Sequence, residues 1–137
     1  MALTASSAYE NTVVADTANT NLSSPTSGSY KTVAVGSASG PRTIEEIDWS
    51  AVGDTTKSAL TLFLYDSGST KAVIKFNIDI PTWDTRMDKV PIVPPAKGPI
   101  LTPKMDPITL ADNTWSLIAI VQTSQEIRIN ARGKNWT

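Results

Sequence analysis

The sequence predicts an all-β fold, a jelly-roll-like β-sandwich or related barrel of about eight antiparallel strands. Three observations support this prediction. Charged residues make up only 18% of the chain, against a typical share of about a quarter, and Ser, Thr, Asn and Gly take their place. The segment AVIKFNIDI alternates between apolar and polar residues with a strict period of two. No segment has the spacing of a convincing amphipathic helix.

The strands of the first half follow one another from Tyr30. YKTVAV is rich in β-branched residues and ends at Gly36. TIEEIDWSAV places Ile47, Trp49 and Ala51 on one face. ALTLFLY is apolar at nearly every position, which is typical of a central strand covered on both faces. AVIKFNIDI follows it after a short turn, so the two segments are predicted to pair as antiparallel strands.

Two further strands close the chain. WSLIAIVQ and EIRINAR are separated by the short polar link TSQ, which predicts that they pair as a hairpin. Alternation along all these segments yields one predicted set of core residues: Ile47, Trp49, Leu62, Leu64, Ile74, Phe76, Ile78, Leu117, Ala119, Ile127 and Ile129.

The domain organisation is predicted to be one β-sandwich domain, residues 30–137, preceded by an extended N-terminal arm, residues 1–29. The arm holds few apolar residues, so we expect contact with another chain to order it. Residues 81–107 carry seven of the nine prolines and cannot form a central strand. Their many large apolar side chains predict an extended segment packed on its own domain or on a neighbouring subunit.

Composition narrows the possible functions. The net charge of −1 provides no electrostatic footprint for nucleic acid or an acidic membrane. Without cysteine and histidine, thiolate catalysis, Ser-His-Asp catalysis and most zinc sites are excluded. No apolar run is long enough to predict a membrane span. We expect no cofactor and no metal.

The motif Asp66-Ser67-Gly68 matches one half-site of an aspartic protease, but a turn explains it better. Such a protease needs two facing carboxylates that share a proton, and this chain has one copy of the motif. Asp66, Ser67, Gly68 and Ser69 are all turn formers, and apolar strands flank them. We therefore expect a structural turn and no enzymatic activity.

Other candidate sites are weaker. Asp79, Asp84 and Asp88 could supply oxygen ligands for calcium, but they lack the spacing of an EF-hand loop. Glu45, Glu46, Asp48 and Asp54 form an acidic cluster for which surface exposure is the simplest explanation. Trp83 and Trp136 lie in a predicted loop and the C-terminal tail, where an exposed indole could stack on a sugar. A carbohydrate-binding module therefore stays open as an alternative.

Two segments carry a family resemblance. RTIEEIDWSAVGDTTKSALTLFLYDSGS and ITLADNTWSLIAIVQTSQEIRINARG resemble small β-rich virion proteins of tailed bacteriophages, over Thr43 to Ser69 and Ile108 to Gly133. The resemblance lies in an Ile-rich strand, a short Thr-Thr connection and a strand that ends in a Tyr-Asp turn. It implies a structural role in the virion, such as capsid decoration (cement).

The expected function is thus that of a non-enzymatic decoration protein on the capsid surface, made in the host cytoplasm. Its expected partners are the major capsid protein and further copies of itself in a trimer, with neither nucleic acid nor a membrane. A head or tail fibre or adaptor component is the alternative within the virion. The predicted partner-binding residues come from the arm, the proline-rich segment and two tryptophans: Val13, Val14, Trp83, Ile92, Val93, Ile100, Leu101 and Trp136.

Overall fold

The structure of the protein, a computed structural model, describes residues 5–83 and 96–137. These residues form nine β-strands and a single 3₁₀ turn at Pro25–Ser27. The strands, in chain order, are β1 (Ala5–Ala15), β2 (Lys31–Val35), β3 (Arg42–Ala51), β4 (Ser58–Asp66), β5 (Lys71–Ile80), β6 (Lys97–Leu101), β7 (Ile108–Leu110), β8 (Trp115–Val121) and β9 (Ile127–Trp136).

The strands make two antiparallel sheets, so the predicted all-β sandwich is confirmed and the closed barrel is not formed. Sheet A has the order β1-β9-β3-β6, and β7 also pairs with β3; sheet B has the order β2-β8-β4-β5. Because β6 and β7 pair with successive parts of one edge of β3, they share one edge position. Each sheet then alternates strands from the two halves of the chain, as a jelly roll does.

The core lies between the inner faces of the two sheets. Seven predicted core residues are buried there: Ile47, Trp49, Leu62, Leu117, Ala119, Ile127 and Ile129. Leu64, Phe76 and Ile78 are only half-buried at its margin. Ile74 is 48% exposed, so its assignment to the core is wrong.

A β-bulge in β5 explains the misplacement of Ile74. Leu62 pairs with Phe76, but the next residue of β4, Phe63, pairs with Ile74, so Lys75 is an extra residue. Such an insertion shifts the alternation of side chains by one position. Phe76 therefore faces the core, whereas Ile74 lies on the outer face of sheet B, beside Phe63.

The predicted hairpin of the last two strands is wrong. β8 pairs with β2 and β4 in sheet B, whereas β9 pairs with β1 and β3 in sheet A. The link between them crosses from one sheet to the other, and the backbone of Val52 donates to the carbonyl of Glu126 there, at 3.1 Å. Both strands are central in their sheets: β8 lies between β2 and β4, and β9 lies between β1 and β3.

The N-terminal segment is part of the domain. β1 pairs with β9 from Ala5, opposite Trp136, to Ala15, opposite Ile127. The expectation that another chain orders this segment is therefore wrong for these residues, since main-chain pairing within the chain does so. After β1, the side-chain amide of Asn19 donates to the carbonyls of Pro25 and Ser29, at 2.8 and 2.9 Å, which closes a compact loop.

The proline-rich segment is described only in part. Residues 84–95 lie outside the described residues. Beyond them, β6 is an edge strand, in agreement with the prediction that no central strand runs here. Pro99 of β6 pairs with Asp48 beside a register shift, and an edge strand with a bulge is where a sheet tolerates proline.

Candidate partner-binding surface

The Asp66 motif forms a turn that uses both carboxylate oxygens. Oδ1 of Asp66 accepts a hydrogen bond from the backbone N–H of Gly68 at 3.0 Å, and Oδ2 accepts one from the hydroxyl of Ser69 at 2.9 Å. Thr70 completes the turn with a φ of 56°. β4 and β5 pair on either side, so the predicted antiparallel pair around this turn is confirmed. The carboxylate holds the turn together.

The acidic residues of β3 pair with basic residues of β9 on the outer face of sheet A. Nη2 of Arg132 lies 2.9 Å from Oε2 of Glu46 and 3.2 Å from Oδ2 of Asp48. Nζ of Lys134 lies 3.8 Å from Oε1 of Glu45. These carboxylates are therefore exposed partners in ion pairs, as their position on the outer strand face predicts.

The described residues hold no cluster of three or more acidic side chains that could bind a metal ion. Asp79, one of the calcium candidates, is exposed on β5, and Asp84 and Asp88 lie outside the described residues. Hydrogen bonds from the hydroxyl and then the backbone N–H of Thr114 lower the pKa of Asp112. Both bonds lie within one exposed turn.

The two candidate tryptophans are both half-buried. The indole N–H of Trp136 donates to the hydroxyl of Thr43 at 2.8 Å, which anchors the end of β9 on β3. The backbone of Trp83 exchanges two hydrogen bonds with that of Thr55, at 2.7 and 3.0 Å. Both residues therefore have structural contacts within this chain.

The remaining predicted partner-binding residues divide into three groups. Val13 and Val14 of β1 are half-buried. Ile92 and Val93 lie outside the described residues. Ile100 and Leu101 are only 5% and 2% exposed and pack in the core of this domain. Their assignment as partner contacts is wrong, because β6 turns these side chains between the sheets.

An apolar groove opens at the margin of the sandwich, between β5 and the turn that joins β6 to β7. It has a volume of about 460 Å³. Apolar side chains from both sides line this β5 groove: Leu64 and Phe76 of sheet B, and Leu101, Met105, Pro107 and Ile108 opposite them. Lys75 and Asp106 also lie along it.

Exposed apolar side chains continue this surface along β5. Val73 is 60% exposed, the most of any large apolar residue in the described ranges, and it lies directly opposite Leu64, which packs on the core. Ile74 projects from the other face of the same strand. β5 is also the last strand of sheet B, so within residues 5–83 and 96–137 its outer edge carries no partner strand.

Sequence reasoning missed the β5 groove. Leu64, Phe76 and Met105 come from three separate elements of the chain. The alternation of residues along β4 and β5 predicts that Leu64 and Phe76 are buried. The bulge at Lys75 left no signal in the alternation of apolar and polar residues from Ile74 to Ile80. The one available signal was Val73 itself, an apolar residue on the predicted polar face of β5.

Comparison with protein families, curated proteins and solved structures found no match to this chain. Among the described residues, no helix is long and apolar enough to cross a membrane.

Proposed function

We propose that this protein is a non-enzymatic structural protein of a tailed-bacteriophage virion, a capsid decoration (cement) protein that binds across major capsid subunits. One observation carries the proposal. The β5 groove and the outer edge of β5, which carries no partner strand within residues 5–83 and 96–137, form a surface suited to docking another polypeptide. The polar clusters, in contrast, are engaged in internal hydrogen bonds and ion pairs.

The fold and the sequence resemblance support the same proposal. Jelly rolls are used in viral capsid proteins, although they also occur in lectins and cupins, so the fold alone does not identify a function. The resemblance of Thr43–Ser69 and Ile108–Gly133 to small virion proteins adds to the viral interpretation. These residues contain β4, β7 and β8 and most of β3 and β9, which include the central strands of both sheets.

The mechanism is repeated binding. A decoration protein needs only a modest interface per copy, because many copies on one shell add their contributions. We propose a homotrimer, because one trimer can bind several capsid subunits at once. Exposed Val73 and Met105 supply apolar contact area, and exposed apolar patches on soluble proteins commonly mark interaction sites.

The test is reconstitution on phage shells assembled from the major capsid protein without decoration. We expect the purified protein to sediment with the shells and to raise the temperature at which they disassemble. Val73→Glu should reduce the bound fraction, because it places a charge in the docking surface. Val52→Glu is the matched control, since Val52 is exposed at a different end of the sandwich. No co-sedimentation of the unaltered protein would refute the proposal.

Two measurements address the trimer and the alternative functions. Light scattering of the purified protein should give the mass of three chains; a monomer at all concentrations would contradict the trimer. A glycan array should give no signal, because the indoles of Trp83 and Trp136 are half-buried within this chain. Specific glycan binding that is lost in Trp136→Ala would favour a carbohydrate-binding module instead.

A further inference from the structure

We propose that a small cavity, at the end of the sandwich where β1 begins and β9 ends, binds a carboxylate group through the guanidinium of Arg42 and the serine hydroxyls around it. This Arg42 cavity shares no lining residue with the β5 groove, and the inference goes beyond the proposed function. Three features carry it: a fixed cation without a counter-ion, an excess of hydrogen-bond donors and a small volume.

The guanidinium of Arg42 is held in place from several sides. Its central carbon lies 3.9 Å from the centre of the Tyr9 ring, and its Nε–H donates to Oδ1 of Asn135 at 2.5 Å. Nη1 donates to the carbonyl oxygen of Val35. An arginine that stacks on an aromatic ring and is hydrogen-bonded in this way presents its planar group in one orientation. Little conformational entropy is then lost when a ligand binds it.

The positive charge of Arg42 has no counter-ion among the described residues. Arg132 and Lys134 pair with acidic residues of β3, but no carboxylate of the described residues, Thr137 included, lies within 4.0 Å of the guanidinium of Arg42. The side chain of Arg42 is half-buried, so its charge is screened less than that of a fully exposed arginine. A bound anion would therefore be attracted more strongly here than on the open surface.

The groups that line the Arg42 cavity can donate more hydrogen bonds than the described residues accept. Oγ of Ser7 accepts a hydrogen bond from the side-chain amide of Asn135 at 2.8 Å, and its own proton has no acceptor among these residues. The Oγ atoms of Ser37 and Ser39 lie 3.2 Å apart, so one hydroxyl donates to the other, whose proton is left over. Nη2 of Arg42 has no acceptor among the described residues either. A carboxylate only accepts hydrogen bonds, so it complements this set.

Size and charge favour a carboxylate over larger anions. The volume of about 190 Å³ is below the roughly 300–1,000 Å³ of ordinary ligand pockets, so the cavity takes one functional group. Arg42 is the one charged side chain among the described residues that line it. A single positive charge balances a carboxylate, whereas a phosphate group carries nearly two negative charges at neutral pH. Guanidinium and carboxylate are also both planar and can form parallel hydrogen bonds.

The test is an NMR titration of the unaltered protein, observed at the Nε–H of Arg42 and at the backbone amides of Ser37 and Ser39. The probes are sodium acetate, the capped peptide acetyl-Gly-Asp-Gly-amide and the same peptide with Asn in place of Asp, all at one ionic strength. We expect acetate and the Asp peptide to shift these signals to saturation. The Asn peptide should bind at least about tenfold more weakly, a difference of 1.4 kcal/mol, because it lacks the charge. Equal affinity of the two peptides would overturn the proposal.

The same titration distinguishes the possible sources of the carboxylate. Tighter binding of the Asp peptide than of acetate would support an acidic side chain of another polypeptide. Tighter binding of acetate would support a small free carboxylate. Inorganic phosphate should bind no more tightly than acetate, and phosphate binding that is about tenfold tighter would overturn the assignment to a carboxylate.

A pair of arginine variants tests the site itself. Arg42→Gln removes the charge from the cavity and should abolish saturable binding of the Asp peptide. Arg128→Gln is the matched control, because Arg128 is exposed on β9 and its loss changes the net charge equally. Its affinity for the Asp peptide should stay that of the unaltered protein. Equal losses in the two variants would show that net charge alone attracts the peptide and would overturn the site.

A second pair of variants leaves Arg42 and its contacts to Tyr9 and Val35 in place, so the test does not depend on whether Arg42→Gln folds. Ser7→Ala removes one hydroxyl donor and should weaken binding of the Asp peptide by about threefold to tenfold, as expected for one hydrogen bond. Ser23→Ala, in the exposed loop before the 3₁₀ turn, should leave the affinity unchanged. Full affinity of Ser7→Ala would show that this hydroxyl does not contact the ligand, contrary to the proposed site.

Discussion

Gly133 of β9 lies so close to Thr43 of β3 that a β-carbon on Gly133 would be 1.8 Å from the carbonyl oxygen of Thr43. The contact occurs beside the register shift between Ile44 and Glu46. The two central strands of sheet A therefore approach at a point where only glycine fits.

Gly133→Ala should lower the free energy of unfolding by more than about 2 kcal/mol, because backbone and not a flexible side chain must move to make room. The matched control is Gly53→Ala, where a β-carbon would meet no atom within 4 Å. Gly53→Ala should change stability by less than about 1 kcal/mol. Denaturant melts give both values, and equal losses would contradict the close approach.

The two phenylalanines should differ in their contribution to stability. Phe63 is fully buried with Ile118 and Ile120 on the outer side of sheet B, so Phe63→Ala should cost about 3–5 kcal/mol. Phe76 is half-buried beside the β5 groove, and Phe76→Ala should cost only about 1.5–3 kcal/mol. A larger loss for Phe76 in urea unfolding would show that the groove is filled in the folded chain.

Deletion of residues 1–20 should destabilise the domain itself, because it removes β1 and exposes the edge of β9. Tyr9 and Val13 pack on the core, and a fully buried side chain of this size is worth about 1.5–3 kcal/mol. We expect a loss of roughly 2–4 kcal/mol. An unchanged melting midpoint would show that β1 does not hold the sheet. As a control, Glu10→Ala, which keeps the β1 backbone, should have little effect.

The pKa of Asp112 should depend on Thr114. The hydroxyl and the backbone N–H of Thr114 donate to Oδ1 of Asp112 at 2.6 and 2.9 Å and lower its pKa from the ordinary value of 3.8. The pKa of Asp112 is lower in the folded than in the unfolded chain. The stability that these bonds contribute is therefore fully present at a pH above the ordinary pKa. This stability is lost as the pH falls through the pKa of the folded chain.

Thr114→Val removes the hydroxyl and keeps the backbone bond, so the pKa of Asp112 should rise part of the way to its ordinary value. Carbon-13 NMR titration of the carboxyl group measures it directly. Thr109→Val, at an exposed position of β7, should leave the pKa of Asp112 unchanged. A pKa of Asp112 that is identical in the unaltered protein and both variants would show that the hydroxyl does not donate to it.

Local patterns in the sequence predicted most of the strands and the inner face of sheet A. Ile47, Trp49, Ile127 and Ile129 alternate with polar neighbours, and alternation is set by the backbone of the strand itself. Sheet membership is different, because it depends on distant partners. The link between β8 and β9 is as short as a hairpin turn, yet the two strands lie in different sheets.

The candidate site was less predictable than the fold. A bulge is a mismatch between two strands, so neither β4 nor β5 shows it alone, and Ile74 was assigned to the wrong face. Ile100 and Leu101 are apolar for the ordinary reason that they are core residues. The low apolar content of β1 hid a strand that main-chain hydrogen bonds hold to β9.

The pairing of β1 with β9 also constrains the order of folding. β9 lies between β1 and β3, so the centre of sheet A is supplied by the last strand of the chain. During synthesis, β1 and β3 must wait with unpaired edges until β9 leaves the ribosome. Contacts between such distant residues slow folding to milliseconds or seconds and leave apolar surface open to aggregation meanwhile. Chaperone dependence of the nascent chain would be a direct result of this strand order.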